Sequence, residues 1–131
     1  MSRIRGDEAG TTSALNEVAL RGRASAAGEE RTLPSGDVIV TLRVIVPREG
    51  GAARRAAGTG EVRRASVDTI DVVCWTARTR RAALRLAAGD GVEVGGALRR
   101  RFFGGPGGRQ SRYEVEATSV RRVARGAPVA S

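Results

Sequence analysis

The chain has 131 residues and a net charge of +9, from 23 basic and 14 acidic residues. All the basic residues are arginine, histidine is absent and Cys74 is the one cysteine. This excludes an intramolecular disulfide, the usual ligand sets of a zinc site and the commonest general base of an enzyme.

Apolar residues make up 40 % of the chain, which supports one folded domain with a modest core. Aromatics are 3 %, so that core is built from Val, Leu, Ala and Ile. No apolar run reaches the length of a membrane span and no signal-peptide pattern is present, so a soluble, cytoplasmic protein is expected. The charge is uneven. Residues 69–131 carry twelve arginines against five acids, and residues 1–68 carry eleven against nine. A basic surface concentrates polyanions by its field alone.

Residues 1–14 are small and polar and read as a flexible leader. Asn16 to Arg23 alternates as a first strand, with Val18, Leu20 and Gly22 on one face and Ala19, Arg21 and Arg23 on the other. Gly28 to Gly36 holds the turn signal Pro34-Ser35-Gly36. Val38 to Val46 is a second strand, with Val38, Val40, Leu42, Val44 and Val46 on one face and Ile39, Thr41, Arg43 and Ile45 on the other. Residues 48–64 have no apolar period and hold Arg48, Arg54, Arg55, Arg63 and Arg64, so a long basic loop is expected. It is either a solvated insertion or a nucleic-acid contact.

Val67 to Trp75 forms the third strand, with Thr69, Asp71, Val73 and Trp75 sharing a face. Thr76 offers an N-cap hydroxyl to a helix from Ala77 to Ala88, whose Arg78, Arg80, Arg81 and Arg85 fit a solvent face. Gly89-Asp90-Gly91 breaks the helix. A fourth strand from Val92 to Phe103, a glycine turn over Gly104 to Gly108 and a fifth strand from Ser111 to Val123 complete the domain, and residues 124–131 read as a short disordered tail. Five strands with one short helix between strands 3 and 4 predict a mainly β fold, the five-stranded oligonucleotide/oligosaccharide-binding (OB-fold) barrel, over residues 15–123.

Arg99, Arg101 and Phe103 stand on one face of the fourth strand, because strand side chains alternate. Two fixed cations beside a ring can hold a phosphate chain and stack a base. Trp75 is either a stacking platform or a half-buried ring closing its strand. Arg21, Arg23 and Arg43 lie on strand faces away from the apolar set; they suit either phosphate contact or a solvated rim. Phe102 reads as core or interface, and Tyr113, in phase with Val115 and Ala117, as core. Cys74 reads as a small buried residue. No catalytic pair and no phosphate-binding loop motif are present, so a non-enzyme without cofactors is expected.

These segments together resemble the bacterial single-stranded DNA-binding protein family, of actinobacterial type. Asn16 to Arg23 is similar to its opening strand, and Pro34-Ser35-Gly36 through Val46-Pro47-Arg48 to its turn and second strand. Ile70 to Trp75, Leu86 to Asp90, Val92 to Arg101 and Glu114 to Ala117 match its later elements in order. The resemblance implies a homotetramer that wraps single-stranded DNA, with Trp75 and Phe103 at stacking positions and Arg99 and Arg101 on the basic strand. RNA on the same surface is the alternative ligand. Gly50 and Thr69 stand where the family has further aromatics, so part of the platform is missing. The chain stops at Ala127 to Ser131 without the family's acidic, aromatic-ended tip, so recruitment of repair enzymes through that tip is not expected. The other reading is a divergent relative with weak nucleic-acid affinity that acts as an oligomerisation module.

Overall fold

A computed structural model describes residues 12–49, 66–105 and 107–126. Six strands and one helix run in the order β1 (Val18–Ala24), β2 (Glu29–Thr32), β3 (Val38–Pro47), β4 (Val67–Cys74), α1 (Ala77–Leu84), β5 (Gly91–Gly105) and β6 (Gly108–Ala124). They form one sheet ordered β1-β5-β6-β4-β3-β2. A further antiparallel contact, Arg23 with Ile45 and Ala24 with Val44, joins β1 back to β3. Five strands therefore close on themselves as an OB-type β-barrel, and β2 hangs outside it on β3. One seam of the ring is parallel and short: Val72, Val73 and Cys74 of β4 lie against Val115, Glu116 and Ala117 of β6.

The interior follows the alternation of the sequence. Val40, Leu42 and Val44 of β3 point inward with Val72 and Cys74 of β4, Val92 and Val94 of β5, and Val115 and Ala117 of β6. Ala83 of α1 and Leu86 just beyond it join the same core. Thr76 caps the helix as expected, its Oγ1 accepting from the Thr79 amide at 3.2 Å. The helix is shorter than the Ala77 to Ala88 span: it ends at Leu84, and Leu84 itself is exposed.

Strand β2 was not expected; its stretch read as turn. Glu-Glu-Arg-Thr holds no apolar residue and stays fully exposed, so no hydrophobic period marks it. It exists because Pro34-Ser35-Gly36 folds a hairpin, with Gly36 at φ 94°, and lays it along β3 from Glu29↔Thr41 to Thr32↔Val38.

Close backbone approach sets the shape at Gly96. A Cβ there would overlap the carbonyl of Glu116, at an irregularity in the β5–β6 ladder between Gly95 and Gly96. At the other end Asp90, buried, accepts from the amides of Gly126 at 2.7 Å and Ala87 at 2.9 Å, which ties the chain after β6 to the loop after α1. These two bonds, in that order of weight, and the nearby Arg122 hold the Asp90 carboxyl below the usual carboxylate range. No helix among the described residues is long and apolar enough to cross a membrane.

Candidate nucleic-acid interface

Strand length makes the site. β5 and β6 have 15 and 17 residues and pair out to Gly105↔Gly108, whereas β4 has eight. β1 accompanies β5 only as far as Gly96, and β4 accompanies β6 only from Val115 to Ala117. Beyond Leu98↔Val115 the two strands leave the barrel as a two-stranded ribbon. Between that ribbon and β3–β4 lies a cleft of about 530 Å³. Arg101, Phe103, Arg112 and Glu114 line its ribbon side, Arg43 and Asp71 its barrel side, and Glu29 and Arg31 come from β2.

Arg101 and Arg112 are direct cross-strand partners. Like charges placed opposite each other disfavour the pairing unless something offsets them. Here carboxylates do. Arg101 Nη1 lies 3.1 Å from Glu114 Oε2, and Arg112 Nη1 lies 3.7 Å from Asp71 Oδ2. Asp71 also takes Arg43 Nε at 3.2 Å. One rung nearer the barrel, Arg99 Nε meets Glu116 Oε1 at 2.8 Å. The pairs are largely solvent-exposed, Glu114 being the most covered at 14 % side-chain exposure. The more exposed of these pairs contribute about 0–1 kcal/mol each, so an incoming anion can displace them cheaply.

The structure thus brings Arg43, Arg101 and Phe103 into one cleft, with Arg99 on the same face. It places the other candidates elsewhere. Arg21 Nε bonds Glu93 at 2.7 Å, and Arg121 reaches the same carboxylate, so Arg21 belongs to a separate cluster on the barrel wall. Hydrogen bonds from Arg21 and then Arg121 lower the pKa of Glu93. Arg23 is exposed where β1 meets β3. Arg48 Nε bonds Asp68 at 3.0 Å beyond the end of β3. Arg54 and Arg55 lie outside the described residues.

Trp75 is 38 % exposed and does not line the cleft. Val73 is level with Glu116 of β6, and Phe103 is paired with Gln110 of the same strand. Trp75 therefore follows the far end of the outer face from Phe103, roughly 25 Å along the strand direction. The two rings can serve one extended strand but not one base.

Tyr113, read as core from its phase, is 59 % exposed, and Phe102, read as core or interface, is 54 % exposed in the single chain. Their phase is right: both share the face of Leu98 and Val115. That face is core only while the strands belong to the barrel, and on the ribbon it meets water. Guanidiniums cover the rings instead. Arg100 lies 5.0 Å from the Phe102 centroid and 5.6 Å from that of Tyr113, and Arg109 lies 5.4 Å from Phe102. On the cleft side Arg112 lies 5.2 Å from the Phe103 ring, whose exposure is 39 %.

Arg112 was absent from the sequence-based set, as were the carboxylates. Alternation already put Gln110, Arg112, Glu114 and Glu116 on one face of the last strand. Only the pairing register reveals that this face adjoins Arg99, Arg101 and Phe103.

An OB-type barrel with arginines and an aromatic ring gathered on one outer cleft defines a candidate nucleic-acid-binding domain. The sequence profile described as "Single-strand binding protein family" matches residues 15–123, and the chain belongs to that family. Among solved structures it is similar to a chain of the Plasmodium falciparum single-stranded DNA-binding protein complex with single-stranded DNA. The TM-score is 0.60 at 19 % identity, covering 83 % of this chain and 93 % of that one, a likeness of fold. No curated protein matches the sequence.

Proposed function

We propose that the protein binds single-stranded DNA without sequence preference, through the cleft between the β5–β6 ribbon and β3–β4. The carrying observation is the directly opposed pair Arg101 and Arg112 beside the half-exposed ring of Phe103. Two guanidiniums facing each other suit a bridging phosphate, and a ring one step further along suits the attached base. Arg43 and Arg99 extend the phosphate track. Trp75 serves a more distant nucleotide of the same strand, within the span of about 4–16 nucleotides that one such barrel covers.

Family membership supports the finer reading: a homotetramer acting in the cytoplasm on strands exposed in replication, repair and recombination. RNA fits the same chemistry, and comparing oligo-dT with oligo-rU tests it. The ion-paired state of the cleft arginines favours a second reading, in which nucleic-acid affinity is weak and assembly is the main role. Native mass spectrometry showing mixed assemblies, together with negligible oligo-dT binding, would select it.

Titration with oligo-dT at two salt concentrations is the test. Phe103→Ala should weaken binding by about 1–3 kcal/mol, about 5- to 150-fold in Kd. Affinity should fall with salt by roughly 0.7 logarithmic units per tenfold salt for each phosphate neutralised. Unchanged affinity in Phe103→Ala refutes the cleft as the binding site.

A further inference from the structure

The net charge of the chain is +9, yet among the described residues little of that surplus lines the cleft. Its lining holds four arginines, Arg31, Arg43, Arg101 and Arg112, and three carboxylates, Glu29, Asp71 and Glu114. Glu116 neutralises Arg99 on the adjoining rung. The arginines of α1, by contrast, form no ion pair among the described residues. Among the described residues, these unpaired arginines do not line the cleft.

We infer that Glu114, Glu116 and Asp71 are internal counter-anions that set affinity and specificity, by occupying the guanidiniums a phosphate must take. This rests on the cleft being the DNA site. Each phosphate that takes Arg101 evicts Glu114, and each that takes Arg99 evicts Glu116. The phosphate sheds a bound cation on pairing. The evicted carboxylate recruits one from solution, and the two nearly cancel. Charge alone therefore contributes little at this surface. A polyanion that brings no free base, such as duplex DNA, is held poorly, while a strand that stacks on Phe103 is retained. The same cancellation makes the salt dependence shallower than the number of arginine–phosphate contacts.

Arg99 and Arg101 do not bond the residues directly opposite them, Glu114 and Arg112, but reach diagonally to Glu116 and Glu114. Glu114 itself lines the cleft beside Arg101 and Arg112, so a phosphate entering there meets its carboxylate.

The test is the double variant Glu114→Gln with Glu116→Gln in the full chain, which keeps side-chain size and removes both charges. Its fold is checked by circular dichroism. Kd is measured against oligo-dT and against duplex DNA of equal length at several salt concentrations. Two freed arginines should tighten oligo-dT about tenfold near 0.2 M salt and steepen the logarithmic salt slope by about 1.4. Duplex binding should strengthen at least as much. If the wild type binds oligo-dT and Phe103→Ala weakens it, the cleft reading stands. Unchanged Kd and slope in the double variant then refute the competition alone. Weaker binding by a folded double variant also refutes it, by showing that the carboxylates hold the guanidiniums in place. If the wild type binds no oligo-dT, or binds it and Phe103→Ala leaves the affinity unchanged, the cleft reading fails and takes this inference with it.

Discussion

Val115 is the residue on which barrel closure can be tested. It is 2 % exposed and sits where two pairings meet, opposite Leu98 on β5 and level with Val72 on β4. The β4–β6 seam has only three residue pairs, so loss of packing there is shared by few neighbours. Val115→Ala removes two methyl-sized groups from a dry core. At about 0.8 kcal/mol each the transfer loss is about 1.6 kcal/mol. Any void that fails to close adds about 24 cal/mol per Å³, which brings the expected loss to about 2–3 kcal/mol. In urea, with a slope of about 1–3 kcal/mol/M for a domain of this size, the midpoint should drop by about 1 M with the slope unchanged. Below the transition the variant should bind oligo-dT like the wild type, since Val115 points inward while Glu114 and Glu116 point out. A loss below about 1 kcal/mol would show that β6 is not clamped to β4 as described. A change in slope would show that the seam opens on its own rather than with the rest of the barrel.

Two further outcomes are expected. Cys74 is fully buried, and desolvation, only partly offset by a hydrogen bond with Thr79, pushes its thiol up to about 11. At pH 8 ionisation alone should slow alkylation roughly 200-fold relative to an unfolded chain with a thiol near 8.5, and urea should restore the rate; fast labelling of the native protein would contradict this burial. Asp90 and Glu93 have folded pKa values below their unfolded ones, near 4. Their stabilising contribution is present above that value and is lost as pH falls through the depressed folded range, so stability should decline below about pH 4–5. Asp90→Asn should flatten that decline, and an identical pH profile in the variant would remove Asp90 from the explanation.

The barrel was legible in the sequence because burial is recorded as a period of two. Val40, Leu42 and Val44, or Val92 and Val94, show which side is inside before any partner strand is known. The period cannot show where inside stops. Tyr113 keeps the phase of Val115 after the barrel has ended, so the sequence reads an exposed ring as core. Nor can it show β2, whose four polar residues are a strand only through hydrogen bonds to β3. For the site, Arg99, Arg101 and Phe103 were visible as a set within one strand. Their neutralisation by Glu114 and Glu116, the opposition of Arg101 and Arg112, and the distance of Trp75 from the cleft all depend on register between strands far apart in the chain. Composition registered the basic excess but not that carboxylates would cancel much of it at the cleft.

The β5–β6 ribbon has a mechanical consequence. It is a cantilever, fixed at its root by the strands on either side, and beyond that root no further strand pairs with it among the described residues. Arg99 and Glu116 sit at the stiff root, and Phe103 sits out along the arm. A small elastic bend would leave the first pair in place and displace the ring most, changing the width of the gap. If the cleft holds a strand as proposed, tolerance of base identity follows from compliance rather than from a hydrogen-bonding code.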